Sequence, residues 1–305
     1  MYSVMKMGVF LKMEIGIVGP GAIGLLFAFY LQKNEQDVKL YTRTVEQSER
    51  LNKCGITCVQ NGMRETVFPR VSPLENIKNE THDYTFIAVK QYHLEEILPY
   101  LQAEKRLIFL QNGMGHLHLL QQIQGASVAI GIVEHGAKKE NASIVHHTGI
   151  GSTKFGIIHG EKERFENLFT VFSSSLFPVA IENDWKQTMI NKLVVNACIN
   201  PLTALFGVQN GELLTNPSFH KVMKQVFSEV MGIVGDLQCG EYWERVCTVC
   251  ENTAHNISSM LTDIRNNRKT EIDAIVGYLI QEAEKQQKSV PTLSFLYHSI
   301  KGLER

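Results

Sequence analysis

Apolar residues are distributed in two styles along this chain. As far as about residue 183 they come in short runs separated by helix-compatible stretches. The runs 15–18, 38–42, 84–89, 106–110, 128–133, 143–145, 154–158 and 177–182 read as strands, and 25–32 and 161–175 as helices. From residue 184 no strand pattern remains, and 184–205, 217–236, 240–254 and 268–287 carry helical spacing. Strand–helix alternation predicts an α/β domain over 13–183, and the remainder predicts an all-helical domain over 184–305. Neither a repeat nor a Gly/Ser linker interrupts the boundary.

The first run opens a recognisable turn. Ile15 to Val18 leads into Gly19-Pro20-Gly21-Ala22-Ile23-Gly24 and then a helix. Strand, glycine turn and helix in this order form the dinucleotide-binding fingerprint: Gly19 permits the tight turn, Gly21 lets backbone approach a pyrophosphate, and Gly24 allows close helix–strand packing. Free N–H groups at the helix start face the anion. The next strand ends at Arg43, 19 residues after Gly24. An NAD site would place an acid near there, whereas an arginine suits the 2′-phosphate of NADP. The competing reading of Arg43 is a solvated loop residue. Two further strands end at Lys90 and at Gln111-Asn112, the end where a doubly wound sheet binds ligands. Either Lys90 or Asn112 could instead cap a helix.

The helical half holds a different signal. Lys192, Asn196 and Asn200 recur at four-residue spacing in an otherwise apolar helix, so they share one slowly drifting stripe. Buried polar groups without partners cost several kcal/mol each, of the order of 2–7. Two readings satisfy that cost: a bound polar ligand, or a water-filled crevice with Lys192 snorkelling to solvent. Pro201 follows and predicts a kink where the stripe ends. A second polar group, Asn256 to Asp263, precedes Thr270-Glu271-Ile272-Asp273, where Thr270 and Asp273 fit a capping box and Glu271 is left over. The pair Asn210-Gly211 reads as a turn.

Composition narrows the classes. The 305 residues are 44% hydrophobic and 20% charged, with 30 Lys plus Arg against 31 Asp plus Glu. That balance holds no basic excess for a nucleic-acid backbone. No apolar run is expected to reach the length of a membrane span, and the location expected is cytoplasmic. Residues 1–12 read as a frayed extension or an upstream start. Among the six cysteines, Cys247 and Cys250 have zinc-like spacing with His255 nearby, but no second pair completes a site, so reduced thiols and no metal are expected.

Taken together, these residues resemble the ketopantoate reductase family. The resemblance runs from Met13 to the C-terminus and rests on Gly19–Gly24, on Gln111-Asn112-Gly113-Met114-Gly115, on Lys192, Asn196 and Asn200 followed by Pro201-Leu202-Thr203, on Asn210-Gly211-Glu212-Leu213, on Ser258-Ser259-Met260-Leu261 and on Thr270–Asp273. Val133 and Glu134 depart from the hydroxyl residues common there. The resemblance implies a Rossmann-type N-terminal domain, an all-helical C-terminal domain and NADPH. It implies Lys192 as catalytic acid with Glu271, and Asn112, Asn196, Asn200, Asn210 and Ser259 about a small-molecule substrate. It also implies Gly19, Pro20, Gly21, Ala22, Ile23, Gly24, Arg43, Lys90, Asn112 and Glu271 about the cofactor, in a monomer or homodimer. The reaction expected is reduction of 2-dehydropantoate to (R)-pantoate. The competing readings are a reductase of another oxo or hydroxy acid, and a catalytically silent NADPH sensor.

Overall fold

The computed structural model describes residues 12–172, 176–235 and 239–304. The expected extension, Lys12 excepted, lies outside the described residues, as do 173–175 of the expected helix 161–175 and 236 of the segment 217–236. The chain forms two compact units: residues through Gln111 with Leu120–Trp185, and Asn112–Leu119 with Lys186–Arg305.

The first unit is built on an eight-stranded sheet. Its strands are β1 (Glu14–Val18), β2 (Asp37–Thr42), β5 (Arg70–Pro73), β6 (Tyr84–Ile87), β7 (Arg106–Phe109), β8 (Ser127–Val133), β11 (Thr153–His159) and β12 (Val179–Ile181). The order is β12-β11-β8-β7-β6-β1-β2-β5. From β8 to β5 all neighbours run parallel, and β11 turns antiparallel against β8. After β5 the chain returns to pair β6 on the other side of β1. The order therefore reverses beside β1, whose end carries the glycine turn, and such a switch point is where an open α/β sheet takes its ligand.

A second, four-stranded sheet lies in the same unit: β3 (Ile56–Gln60), β4 (Met63–Val67), β9 (Gly136–Lys139) and β10 (Ile144–Gly149), in the order β4-β3-β10-β9. It packs on the helix Ala22–Lys33, and Tyr30 of that helix meets His147 of β10, Oη to Nδ1 2.8 Å. Sheet covers that helix from both directions, and every residue from Gly24 to Leu31 is buried. Its sequence accordingly lacks a polar face. The hairpin β3–β4 is absent from the apolar-run reading. Its local signal is Asn61-Gly62, both at positive φ (49° and 78°), the pair that two-residue hairpin turns demand.

The second unit is helical: Trp185–Phe206, Pro217–Val234, Cys239–Asn252, Ser259–Arg265, Tyr278–Lys285 and Pro291–Leu303, with a π-helical turn at Asp273–Gly277. The expected single helix over 268–287 is thus a π turn running into a shorter α-helix. The helices Ser259–Arg265 and Pro291–Leu303 had no counterpart in the spacing reading. Trp185–Phe206 continues through Pro201.

That helix also corrects the expectation about membrane-length segments. It is long and apolar enough to cross a bilayer, with a mean hydropathy of 1.3 over a stretch that is 61% buried in the fold. A helix packed on most sides needs the same composition as a span. Here Leu193, Val194, Ala197, Cys198, Ile199 and Leu202 are buried.

Candidate active site

The glycine turn of the first unit is shaped by close backbone approach. Gly19 has φ +102°, and a Cβ there would stand 2.8 Å from Val89 Cγ1. A Cβ on Gly24 would stand 1.9 Å from the Gly19 carbonyl oxygen. Both positions therefore exclude any side chain. Gly21 is the N-cap of the helix Ala22–Lys33, offers no side-chain acceptor, and no acid stands in the first turn. The amides around Ala22 and Ile23 thus meet no capping side chain, which suits the pyrophosphate of a dinucleotide.

Around this turn, Arg43 is exposed just beyond β2. The following helix, Val45–Cys54, is capped by Thr44, whose hydroxyl accepts the Gln47 N–H at 3.3 Å, so Arg43 stays outside it. Lys90 is half-buried beyond β6. Gln111, which carried only a motif role in the sequence, donates from Nε2 to the carbonyls of Ile87 and Val89, each at 2.9 Å. It fastens the end of β6 beside the turn.

The second unit brings together three residues far apart in sequence. Lys192 Nζ donates to Asn112 Oδ1 at 2.9 Å, and Asn112 Nδ2 donates to Glu271 Oε2 at 3.1 Å. Lysine can only donate and an ionised carboxylate can only accept, so this order fixes the orientation of the Asn112 amide. Glu271 is 7% exposed, whereas Lys192, Asn112, Asn196 and Asn200 are half-buried. Asn112 does not cap a helix; it bridges a cation and an anion.

The π turn explains how that bridge is held. Winding one extra residue between Asp273 and Gly277 sends the Tyr278 N–H to Asp273 and Ile275, and the Ala274 carbonyl accepts the Met114 N–H at 3.2 Å instead. Gly113 lies against the same carbonyl: at φ +76° its Cβ would stand 2.2 Å from the Ala274 oxygen. The loop carrying Asn112 is thereby pinned to the turn that follows Glu271. Such single π turns recur at functional sites.

The expected capping box is half correct. Thr270 Oγ1 accepts the Ile272 N–H at 3.1 Å, but the Thr270 N–H goes to Glu304 at 2.9 Å. Asp273 turns away to Tyr297 Oη at 2.8 Å and Lys301 Nζ at 3.3 Å. A carboxylate from the chain's end thus takes over the role that the local pattern gave to Asp273.

Of the remaining candidates, Asn210 is buried. Its Nδ2 donates to Thr253 Oγ1 at 2.9 Å, while its Oδ1 is buried with no hydrogen-bond partner. An orphaned acceptor of this kind fits a hydroxyl-bearing ligand. Ser258 is the structural member of its pair: it caps the helix Ser259–Arg265 by accepting the Leu261 N–H at 3.1 Å and receives the Thr203 hydroxyl at 2.7 Å. Ser259 is exposed. His116, which the sequence reading passed over, is wholly buried with neither ring nitrogen bonded. Burial pushes its pKa down to about 4 against the pull of Glu271, so it is neutral at pH 7. Val133 is buried, while Glu134 sits at the surface and receives Ser152 Oγ at 2.8 Å. Among the described residues no cluster of three His, Cys, Asp or Glu could hold a metal.

Comparison with known proteins agrees with both halves. The family described as "Ketopantoate reductase PanE/ApbA" matches residues 15–160, and its C-terminal counterpart matches 184–304. The 2-dehydropantoate 2-reductase of Bacillus subtilis (strain 168) is 42% identical over 96% of this chain and 98% of its own length. That of Vibrio cholerae is 32% identical over 96% of this chain and 98% of its own. A solved structure titled a probable 2-dehydropantoate 2-reductase from B. subtilis superposes with a TM-score of 0.85, covering 95% of this chain and 100% of that one at 42% identity. A D-mandelate dehydrogenase with NADH and anilino(oxo)acetate shares the fold, with a TM-score of 0.88 at 23% identity over 96% of this chain and 98% of that one. With its glycine turn, its Lys192–Asn112–Glu271 chain and relatives matched over nearly its whole length, the protein belongs to the ketopantoate reductase (PanE/ApbA) family.

Proposed function

We propose that the protein reduces 2-dehydropantoate to (R)-pantoate with NADPH in the cytoplasm, and that Lys192 is the general acid. Nucleotide binding is assigned to residues 13–183 and substrate handling to 184–305, together with Asn112. The observation that carries the proposal is the hydrogen-bonded order Lys192–Asn112–Glu271.

When bound, a nicotinamide cofactor would supply a hydride to the ketone carbon. The carbonyl oxygen then becomes an alkoxide, and a proton donor must lie within hydrogen-bond reach of it. Lys192 offers a cation that polarises the carbonyl and a proton that it releases to the oxygen. Asn112 holds the ammonium by its Oδ1 and is itself held by Glu271, which fixes the amide and adds a countercharge. Asn196 and Asn200 extend the lysine's stripe with donors that carry no charge, which suits a carboxylate and hydroxyls. Asn210 has an unsatisfied acceptor for a hydroxyl hydrogen, and Ser259 lies at the start of the adjoining helix. Gly19 to Gly24 would receive the pyrophosphate, Arg43 the 2′-phosphate, and Lys90 and Asn112 would reach phosphate, ribose or nicotinamide.

Oxidation of NADPH, followed by absorbance with 2-dehydropantoate, ketoisovalerate, pyruvate and no substrate, tests the proposal. Rapid turnover with 2-dehydropantoate above the other two is the expected result. Equal or greater turnover with another oxo acid would reassign the substrate. NADPH binding without turnover on any acid would favour a sensor.

A further inference from the structure

The second sheet of the first unit delivers a lysine to the glycine turn. On β9, side chains alternate between the sheet's faces. Lys138 is exposed and Lys139 is half-buried. Lys139 Nζ donates to the carbonyl oxygen of Pro20 at 2.6 Å, inside the turn itself. The backbone that carries it is fixed by pairing. Lys139 lies opposite Val145 of β10, the Glu140 N–H bonds the Ile144 carbonyl at 2.9 Å, and Asn141 Oδ1 accepts the Ser143 and Ile144 N–H groups at 3.0 and 3.1 Å.

We propose that Lys139 is a cofactor-binding residue that places a positive charge on the pyrophosphate of the dinucleotide. The inference rests on the nucleotide reading of the glycine turn. Two observations point to it independently. The helix behind the turn begins with neither a capping side chain nor an acid, so no side chain of that helix competes with an anion for its amides. The ammonium of Lys139 sits one hydrogen bond from the same backbone. An ammonium binds phosphate as a point charge and strengthens amide–phosphate bonds beside it. The charge acts on a group common to NADPH and NADH, whereas Arg43 is assigned to the 2′-phosphate that only NADPH carries. The two cations thus divide affinity from preference.

Equilibrium binding of NADPH and of NADH to the full chain tests this division. Lys139→Gln keeps a donor for the Pro20 carbonyl and removes the charge. It is expected to weaken both nucleotides by the same factor, roughly ten- to hundredfold, and to make affinity less dependent on ionic strength, with an unchanged melting temperature. Lys139→Arg should restore most of the loss, and Lys138→Gln should change neither nucleotide. A merely structural tether would leave the salt dependence as in the wild type, and that result overturns the proposal. So does an unchanged affinity, or a loss confined to NADPH. Should the wild type bind neither nucleotide, the nucleotide reading fails and takes this inference with it.

Discussion

The glycine turn and the Lys192–Asn112–Glu271 chain make their sites in opposite ways. The turn is backbone chemistry over six consecutive residues, and its two obligatory glycines are fixed by contacts with neighbouring chain: Gly24 against Gly19, and Gly19 against Val89. The polar chain is made by side chains 80 and 159 residues apart, and it exists only when a π turn, a left-handed glycine and a long apolar helix are all in place. A site of the first kind survives wherever strand, turn and helix form. One of the second kind is sensitive to packing at positions that touch no ligand, because a misplacement of about 1 Å can cost about 10²-fold in rate.

Removing the proposed proton donor should separate the two most sharply. Lys192→Ala is expected to lower kcat by about 10²–10⁴-fold, with NADPH affinity within a few-fold of wild type, read from steady-state rates and a nucleotide titration. Retained kcat would remove Lys192 from the chemistry.

Gly113→Ala should come next. An alanine there must leave φ +76° or displace the Ala274 carbonyl, so Asn112 shifts from Lys192 and Glu271. The expected loss in kcat is about 10²-fold, with nucleotide affinity unchanged, although position 113 is assigned no contact with substrate. Comparable activity in the variant would show that the π turn does not position Asn112.

Arg43→Ala tests the residue proposed for the other site. The preference for NADPH over NADH should fall by roughly tenfold, with kcat on saturating NADPH preserved. An undiminished preference would put the 2′-phosphate contact on another residue.

The smallest effect is one of pH. Burial lowers His116 and His135 from the ordinary 6.5 to about 4, so each is neutral when folded and binds a proton on unfolding between those values. Their contribution to stability is complete above about 6.5, declines as pH falls towards 4, and changes no further below it. Each therefore adds up to one proton to the pH slope of the unfolding free energy. His116→Leu should remove one such slope; denaturant melts across pH 4–7 with an identical slope would contradict its assignment as neutral.

Legibility in the sequence follows the same divide. The glycine turn, β1, β2 and the helical second half were readable because local spacing encodes them. The stripe Lys192, Asn196 and Asn200 was readable as polar residues out of place in an apolar helix. What completes the site was not. Asn112 at a strand end could equally have capped a helix, and only the fold pairs it with Glu271. The π turn has no spacing signature, so 268–287 read as one helix. Glu304 replaces Asp273 in capping across 34 residues, which no local pattern can anticipate. Of the second sheet only 143–145, which overlap β10, read as a strand; the rest was missed although Asn61-Gly62 marks its hairpin, because the runs beside it are too polar to stand out: Met63–Val67 is largely exposed. With that sheet went Lys139.

The measurement closest to the central claim is a single-turnover comparison of wild type and Lys192→Ala, each preloaded with NADPH and mixed with 2-dehydropantoate. Rapid loss of reduced-nicotinamide absorbance is expected in the wild type, with a rate lower by about 10²–10⁴-fold in the variant. Equal rates in the two proteins, with NADPH bound in both, would contradict that claim.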